Sequence, residues 1–176
     1  MDLPMIAFTL EGENGSISLE IDEVFGFPEE TAYGGGFGAC GAMHIQAEGL
    51  TGTWSVDVKH YFNTGELNRF EKELARCYEN LGLSGTATLE NAECELELAL
   101  SFGKTGHVAI TGKFEEHSHL NNMLHFEIGS DQTYIPKMLS QLRCVREVFG
   151  DHSARITPAS IPVKKAFGWP RICPKR

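Results

Sequence analysis

Between Glu93 and Tyr134 the chain alternates so strictly that little freedom is left in how it folds. Cys94, Leu96, Leu98, Leu100 and Phe102 occupy every second position, with Glu93, Glu95, Glu97, Ala99 and Ser101 between them. Successive side chains of a strand point to opposite faces, so the pattern predicts a strand with one dry and one strongly negative face. Gly103-Lys104-Thr105-Gly106 makes a tight turn, and Val108, Ile110, Gly112 and Phe114 continue the dry face on the returning strand. After a polar loop, residues 115–122, the residues Leu124, Phe126 and Ile128 supply the inner face of a third strand. Antiparallel neighbours on short connections form a meander whose other face is solvated or kept for a partner.

The flanking segments read as layers laid on this meander. Residues 5–10 and 16–25 are strand candidates joined by a Gly-Glu-Asn-Gly turn; Ile17, Leu19 and Ile21 alternate with Ser18, Glu20 and Asp22. Residues 26–41 hold six glycines and one proline. The run Gly34-Gly35-Gly36-Phe37-Gly38 lacks the spacing of a phosphate loop and precedes a strand pattern, Met43, Ile45 and Ala47, so it predicts a bulged start to a strand. Residues 53–62 should pair with that strand across Gly49 to Gly52, with Trp54, Val56 and Val58 on one face.

Asn63 followed by Glu66 has the spacing of a helix-capping box. Leu67, Phe70, Leu74, Cys77, Tyr78 and Leu81 then fall on one helical face up to Gly82, which leaves Glu71, Lys72, Glu73, Arg76 and Glu79 in water. A second helix starts at a cap supplied by Asp131 or Thr133, buries Ile135, Met138, Leu139, Leu142, Val145, Val148 and Phe149, and stops at Gly150. Pro136 falls in its first turn, where a missing N–H does no harm. The fold class expected is α+β: an antiparallel sheet of six or more strands, or a strongly bent pair of sheets, packed with two helices. One domain covers residues 1–150 and a basic, proline-rich tail covers 151–176.

Charge divides unevenly along the 176 residues. Formal net charge is −9, yet the residues after His152 carry six basic side chains and no acidic one, which leaves nine basic against 24 acidic in the body. A body at −15 repels nucleic acid and anionic membrane and suits a basic protein partner. No stretch approaches the ~20 apolar residues of a membrane span, and the start has no basic signal-like region, so a cytoplasmic protein is expected. Five scattered cysteines without a CxxC pair fit free thiols in a reducing compartment.

Catalytic chemistry is hard to assemble from these residues. Asp57 and His60 point to opposite faces of their strand, and no GxSxG, HExxH or paired Cys/His motif occurs. Glu115, Glu116, His117 and His119 share a loop and could offer zinc two imidazoles and a carboxylate, but no fixed fourth group is visible, so no metal and no cofactor is expected. The negative set Glu93, Glu95, Glu97, Glu115, Glu116 and Glu127 is the candidate partner-binding surface, on a charge argument alone.

Several stretches in order resemble the WapI-type immunity proteins of bacterial polymorphic toxin systems. They are VFGFP at 24–28 with Tyr33-Gly34-Gly35, TGEL leading into the Phe70–Leu74 helix face, LELALSF, GHVAITGKF, and LHFEIGSDQTYI running into the last helix. The resemblance covers about Phe8 to Gly150 and implies a small cytosolic protein, not an enzyme, that binds and neutralises the C-terminal toxin domain of a larger effector, often a nuclease. Inhibition of that kind is stoichiometric occlusion by protein–protein contact with a basic toxin domain. A different class of reading is a small-molecule or regulatory module using the glycine-rich segment and a pocket between sheet and helices. The oligomeric state is left open by either.

Overall fold

The computed structural model describes residues 3–26, 35–56, 62–91, 95–115 and 122–153. An antiparallel meander followed by a helix occurs twice. The first sheet comprises β1 (Met5–Glu11), β2 (Gly15–Phe25), β3 (Gly38–Ala47) and β4 (Leu50–Val56) in that spatial order. Strand β4 covers Gly41 to Ala47 of β3, and the two-residue β5 (Phe62–Asn63) pairs with Gly38 and Ala39 beyond its end. Helix α1 (Thr64–Glu79) follows. The second sheet is the uninterrupted meander β6 (Gly85–Glu90), β7 (Leu96–Phe102), β8 (His107–Glu115) and β9 (Met123–Asp131). A single 3-10 turn (Gln132–Tyr134) then leads into α2 (Ile135–Phe149).

Each helix starts where its sequence supplies acceptors. Asn63 is extended, and its backbone N–H donates to Glu66 Oε2 at 2.7 Å, the glutamate half of a capping box. At the second helix Asp131 accepts from the Thr133 N–H at 2.9 Å, and Pro136 sits in the first turn of α2. Leu67, Phe70, Leu74 and Cys77 of α1 and Ile135, Met138, Leu139, Leu142 and Val145 of α2 join the inner faces of both sheets in one continuous core. Helix α1 packs on β6 and on α2, and α2 packs across β1. The two outer strands β1 and β6 are thereby covered by helices. Strands β4 and β9 are the remaining sheet edges.

The sheets meet at the β1–β2 turn. Glu13 N–H donates to Gly129 O at 2.7 Å, Gly129 N–H to Asn14 Oδ1 at 3.0 Å, and Ser130 Oγ to Glu11 O at 2.7 Å. A Cβ on Gly12 would stand 2.4 Å from the Gly129 carbonyl, so this crossing needs glycine.

Several expectations are corrected. Helix α1 ends at Glu79, and Gly82 (φ +97) shapes the turn beyond it, leaving Leu81 exposed. Val148 is likewise exposed. Glu48-Gly49 forms the β3–β4 turn, and Gly52 lies inside β4. Strand β6 has no counterpart in the sequence reading. Most informative is Glu71, expected in water with the other charged residues of α1 and in fact only 2% exposed; it borders the buried stripe, four residues after Leu67 and three before Leu74. Its carboxylate accepts from Arg143 Nε at 3.3 Å and from Arg146 Nη1, both on α2. Val58, Asp57, His60, His117, His119 and the tail from 154 onward lie outside the described residues, as does the side chain of Val56.

Candidate partner-binding face

The outer face of the second sheet is built by alternation. On β7, Leu96, Leu98, Leu100 and Phe102 are buried while Glu97 and Ser101 are exposed. Thr86, Thr88 and Glu90 of β6, Thr111 and Lys113 of β8, and His125 and Glu127 of β9 share that outer side. Register sets their neighbours. Glu90 lies opposite Glu97, Glu97 opposite Lys113, and Lys113 opposite His125; one row along, Thr88, Ala99, Thr111 and Glu127 are aligned. A shallow depression of about 240 Å³ lies between Glu97, Ala99, Thr111, Gly112, Lys113 and His125. The described surface is therefore shallow, floored by small side chains and rimmed by charge.

The six predicted acidic residues are not all on it. Glu97 and Glu127 are exposed there. Glu115 is on the same side but half-withdrawn, its carboxylate 3.1 Å from Lys113 Nζ. Glu95 is a correction: it is 7% exposed, because β7 begins only at Leu96 and alternation does not extend beyond a strand's end. Asn91 Oδ1 accepts from the backbone N–H of Glu95 and of Leu96 at 2.9 and 3.0 Å, and Glu115 N–H donates to Glu95 O at 2.8 Å, which folds that position inward. Glu93 and Glu116 lie outside the described residues. Sequence reasoning missed Glu90, which could have been found only by recognising β6 and its pairing.

The described part of the glycine-rich segment, from residue 35 on, is bound to the start of α1. Gly65 N–H donates to Gly35 O at 3.1 Å, Thr64 N–H to Phe37 O at 2.9 Å, and Phe37 N–H to Thr64 Oγ1 at 2.9 Å. The first amides of α1 are thus already used by the protein, and Gly36 (φ +88) has no room for a side chain beside Thr64. Among the described residues no group of three His, Cys, Asp or Glu is placed to hold a metal ion, and no helix is long and apolar enough to cross a membrane.

A second opening lies at the end of the core. Between edge strands β4 and β9 a groove of about 420 Å³ is lined by Gly52, Thr53, Trp54, Phe114, Asn122, Met123 and Leu124. Trp54 stacks on Phe114 with centroids 5.7 Å apart and planes at 10°, and Phe114 tilts against Phe126 at 5.4 Å.

Against known families, residues 7–150 match the immunity protein WapI-like family. The chain belongs to that family. A WapI-like immunity protein has a protective, neutralising role directed at a partner toxin protein, and the family is not an enzymatic one. Among solved structures, that of WHY1 from Arabidopsis thaliana is similar over 82% of this chain and 90% of that one, at a TM-score of 0.36 and 10% sequence identity. No curated protein matches the chain in sequence.

Proposed function

We propose that this WapI-like protein neutralises its toxin stoichiometrically, by laying the outer face of the second sheet over a basic surface of the toxin domain. The toxin this charge suits best is a nuclease, whose substrate-binding surface must attract phosphates with Lys and Arg. One observation carries the reading. Glu90 and Glu97 stand directly opposite each other across β6 and β7, an arrangement that costs stability in isolation and is relieved by a cation brought to them. Glu127 adds a third exposed carboxylate beside a floor of Ala99 and Thr111. Lys113 does not cancel this, because Glu115 already holds it.

Co-expression with the cognate toxin domain tests the role, and charge reversal tests the face. The parent chain should protect cells and co-elute with the toxin. Glu97→Lys combined with Glu127→Lys should fold normally and lose both. A double variant that still protects would move the binding surface elsewhere.

A further inference from the structure

The chain leaves its second helix in a fixed place. His152 N–H donates to Asn68 Oδ1 at 2.8 Å, and its Nε2 pairs with Phe149 O at 2.9 Å. Its ring meets Phe37 edge-on at 5.8 Å. Lys72 Nζ reaches Asp151 at 2.8 Å and Ser153 Oγ at 2.5 Å. Residues 154–176 therefore depart from a point pinned on α1. They carry six basic and no acidic side chains, four prolines, and the aromatic pair Phe167 and Trp169.

We propose that residues 154–176 are the occupant of the groove between β4 and β9. Phe167 and Trp169 seat against Trp54, Phe114, Met123 and Leu124, and the basic side chains lie along the acidic second sheet. Reach permits it: the sixteen residues from Ser153 to Trp169 extend to at most about 50 Å, against a domain roughly 40 Å across. Chemistry favours it on two counts. The groove has Trp54 and Phe114, 8% and 4% exposed, at its floor and Met123, 42% exposed, at its rim, so an incoming aromatic side chain would meet a small apolar opening backed by stacked rings. Beside it, Glu115 pairs across the ladder with Met123, and Glu127 and Glu97 lie on the same sheet. An apolar peptide without charge would gain only the groove; this segment matches both. Resting on the toxin-binding face proposed above, the docked segment competes with the toxin for that side of the molecule.

Trp54 and Trp169 are the protein's two tryptophans, which makes the docking measurable in the full chain. Acrylamide quenching of the parent and of Trp169→Phe isolates the Trp169 signal by difference. That signal should be several-fold less quenched than a free indole, and Met123→Asp should expose it. A Trp169 quenched as readily as free indole in the parent chain would overturn the docking. A second arm titrates an inactivated toxin domain against the parent and against Phe167→Ala with Trp169→Ala. The double variant should bind about tenfold more tightly, roughly 1.4 kcal/mol. Shielded Trp169 with unchanged toxin affinity would overturn the competition while leaving the docking, and would place the toxin on another face. Loss of toxin binding by every form, with Trp169 still shielded, would reject the toxin-face reading alone.

Discussion

Glu71 and Glu97 are both acidic residues interleaved with apolar ones in their own elements. Glu71 borders the Leu67, Phe70 and Leu74 stripe, four residues after Leu67 and three before Leu74, and strand alternation places Glu97 opposite Leu96 and Leu98. A free carboxylate prefers water in either place. In the fold Glu97 is exposed and faces another carboxylate, Glu90, whereas Glu71 is 2% exposed and is held by Arg143 and Arg146. The difference comes from what packs second. Helix α1 has α2 on one side and β6 on another, so it loses more than one face to the interior. The second sheet has its core on one side only. A carboxylate enclosed by two elements becomes part of the joint between them, and one on the uncovered side of a sheet remains available to a partner.

Removing Glu71 tests the enclosed half of that contrast and should have the largest effect. Glu71→Ala leaves two arginines facing a void at the α1–α2 joint. The arginine side chains retain 48% and 31% of their exposure, so they can turn partly to water. The loss should therefore fall at the low end for a broken buried pair, about 3 kcal/mol, which lowers the melting temperature by about 10 °C. A drop of only a degree or two in a thermal melt would show that the joint is carried by apolar packing alone.

Glu97→Lys with Glu127→Lys tests the open half. Stability should change by less than about 0.5 kcal/mol, as for surface positions without buried partners. Affinity for the toxin domain should fall by at least tenfold, about 1.4 kcal/mol or more. Titration calorimetry beside a melt separates the two. A large stability loss would mean that this face is more enclosed than its register implies.

How far the sequence shows these distinctions depends on how many elements each one needs. The β7–β8–β9 alternation and the Asn63–Glu66 spacing are local, and both are legible. The α+β class and the second helix follow from the same kind of signal. Strand β6 is not legible, because only Ala87 and Leu89 of Gly85–Glu90 are buried and two apolar positions make no clear period. Without β6, Glu90 has no partner and the like-charged pair with Glu97 is invisible. Glu95 misleads because its alternation with Leu96 and Leu98 is real in sequence, but Asn91 ends the strand geometry before it. The groove is further from reach, since Trp54 comes from the first sheet and Phe114 and Leu124 from the second.

Glu66 is enclosed too, at 5% exposure, and its carboxylate accepts from the Asn63 backbone N–H at the start of its own helix. Glu66→Ala should cost about 1 kcal/mol, the usual value of a lost helix cap, and Glu66→Gln should recover most of it by keeping the acceptor. Equal losses in urea titrations of the two variants would show that charge at the helix start, and not the hydrogen bond, matters there.

Asp151 stands between the two classes and should show the smallest effect. Its side chain is 45% exposed, yet Lys72 at 2.8 Å, followed by Ser153, holds the carboxyl well below the usual carboxylate range. A folded-state value depressed below the unfolded one, about 3.9, gives stability that is present above that pH and fades as pH falls towards the folded value. Solvent screening of so exposed a pair limits the contribution to about 0.5 kcal/mol. Asp151→Asn should therefore be slightly less stable than the parent at pH 7, and the gap in urea midpoints should shrink as pH falls below about 4. The Ser153 N–H now donates to Asp151 Oδ1 at 3.0 Å, and asparagine keeps an oxygen there, so the variant removes charge and leaves the turn. A gap that stays constant from pH 7 to pH 3 would mean that the charge of Asp151, and hence its ion pair with Lys72, contributes nothing to stability.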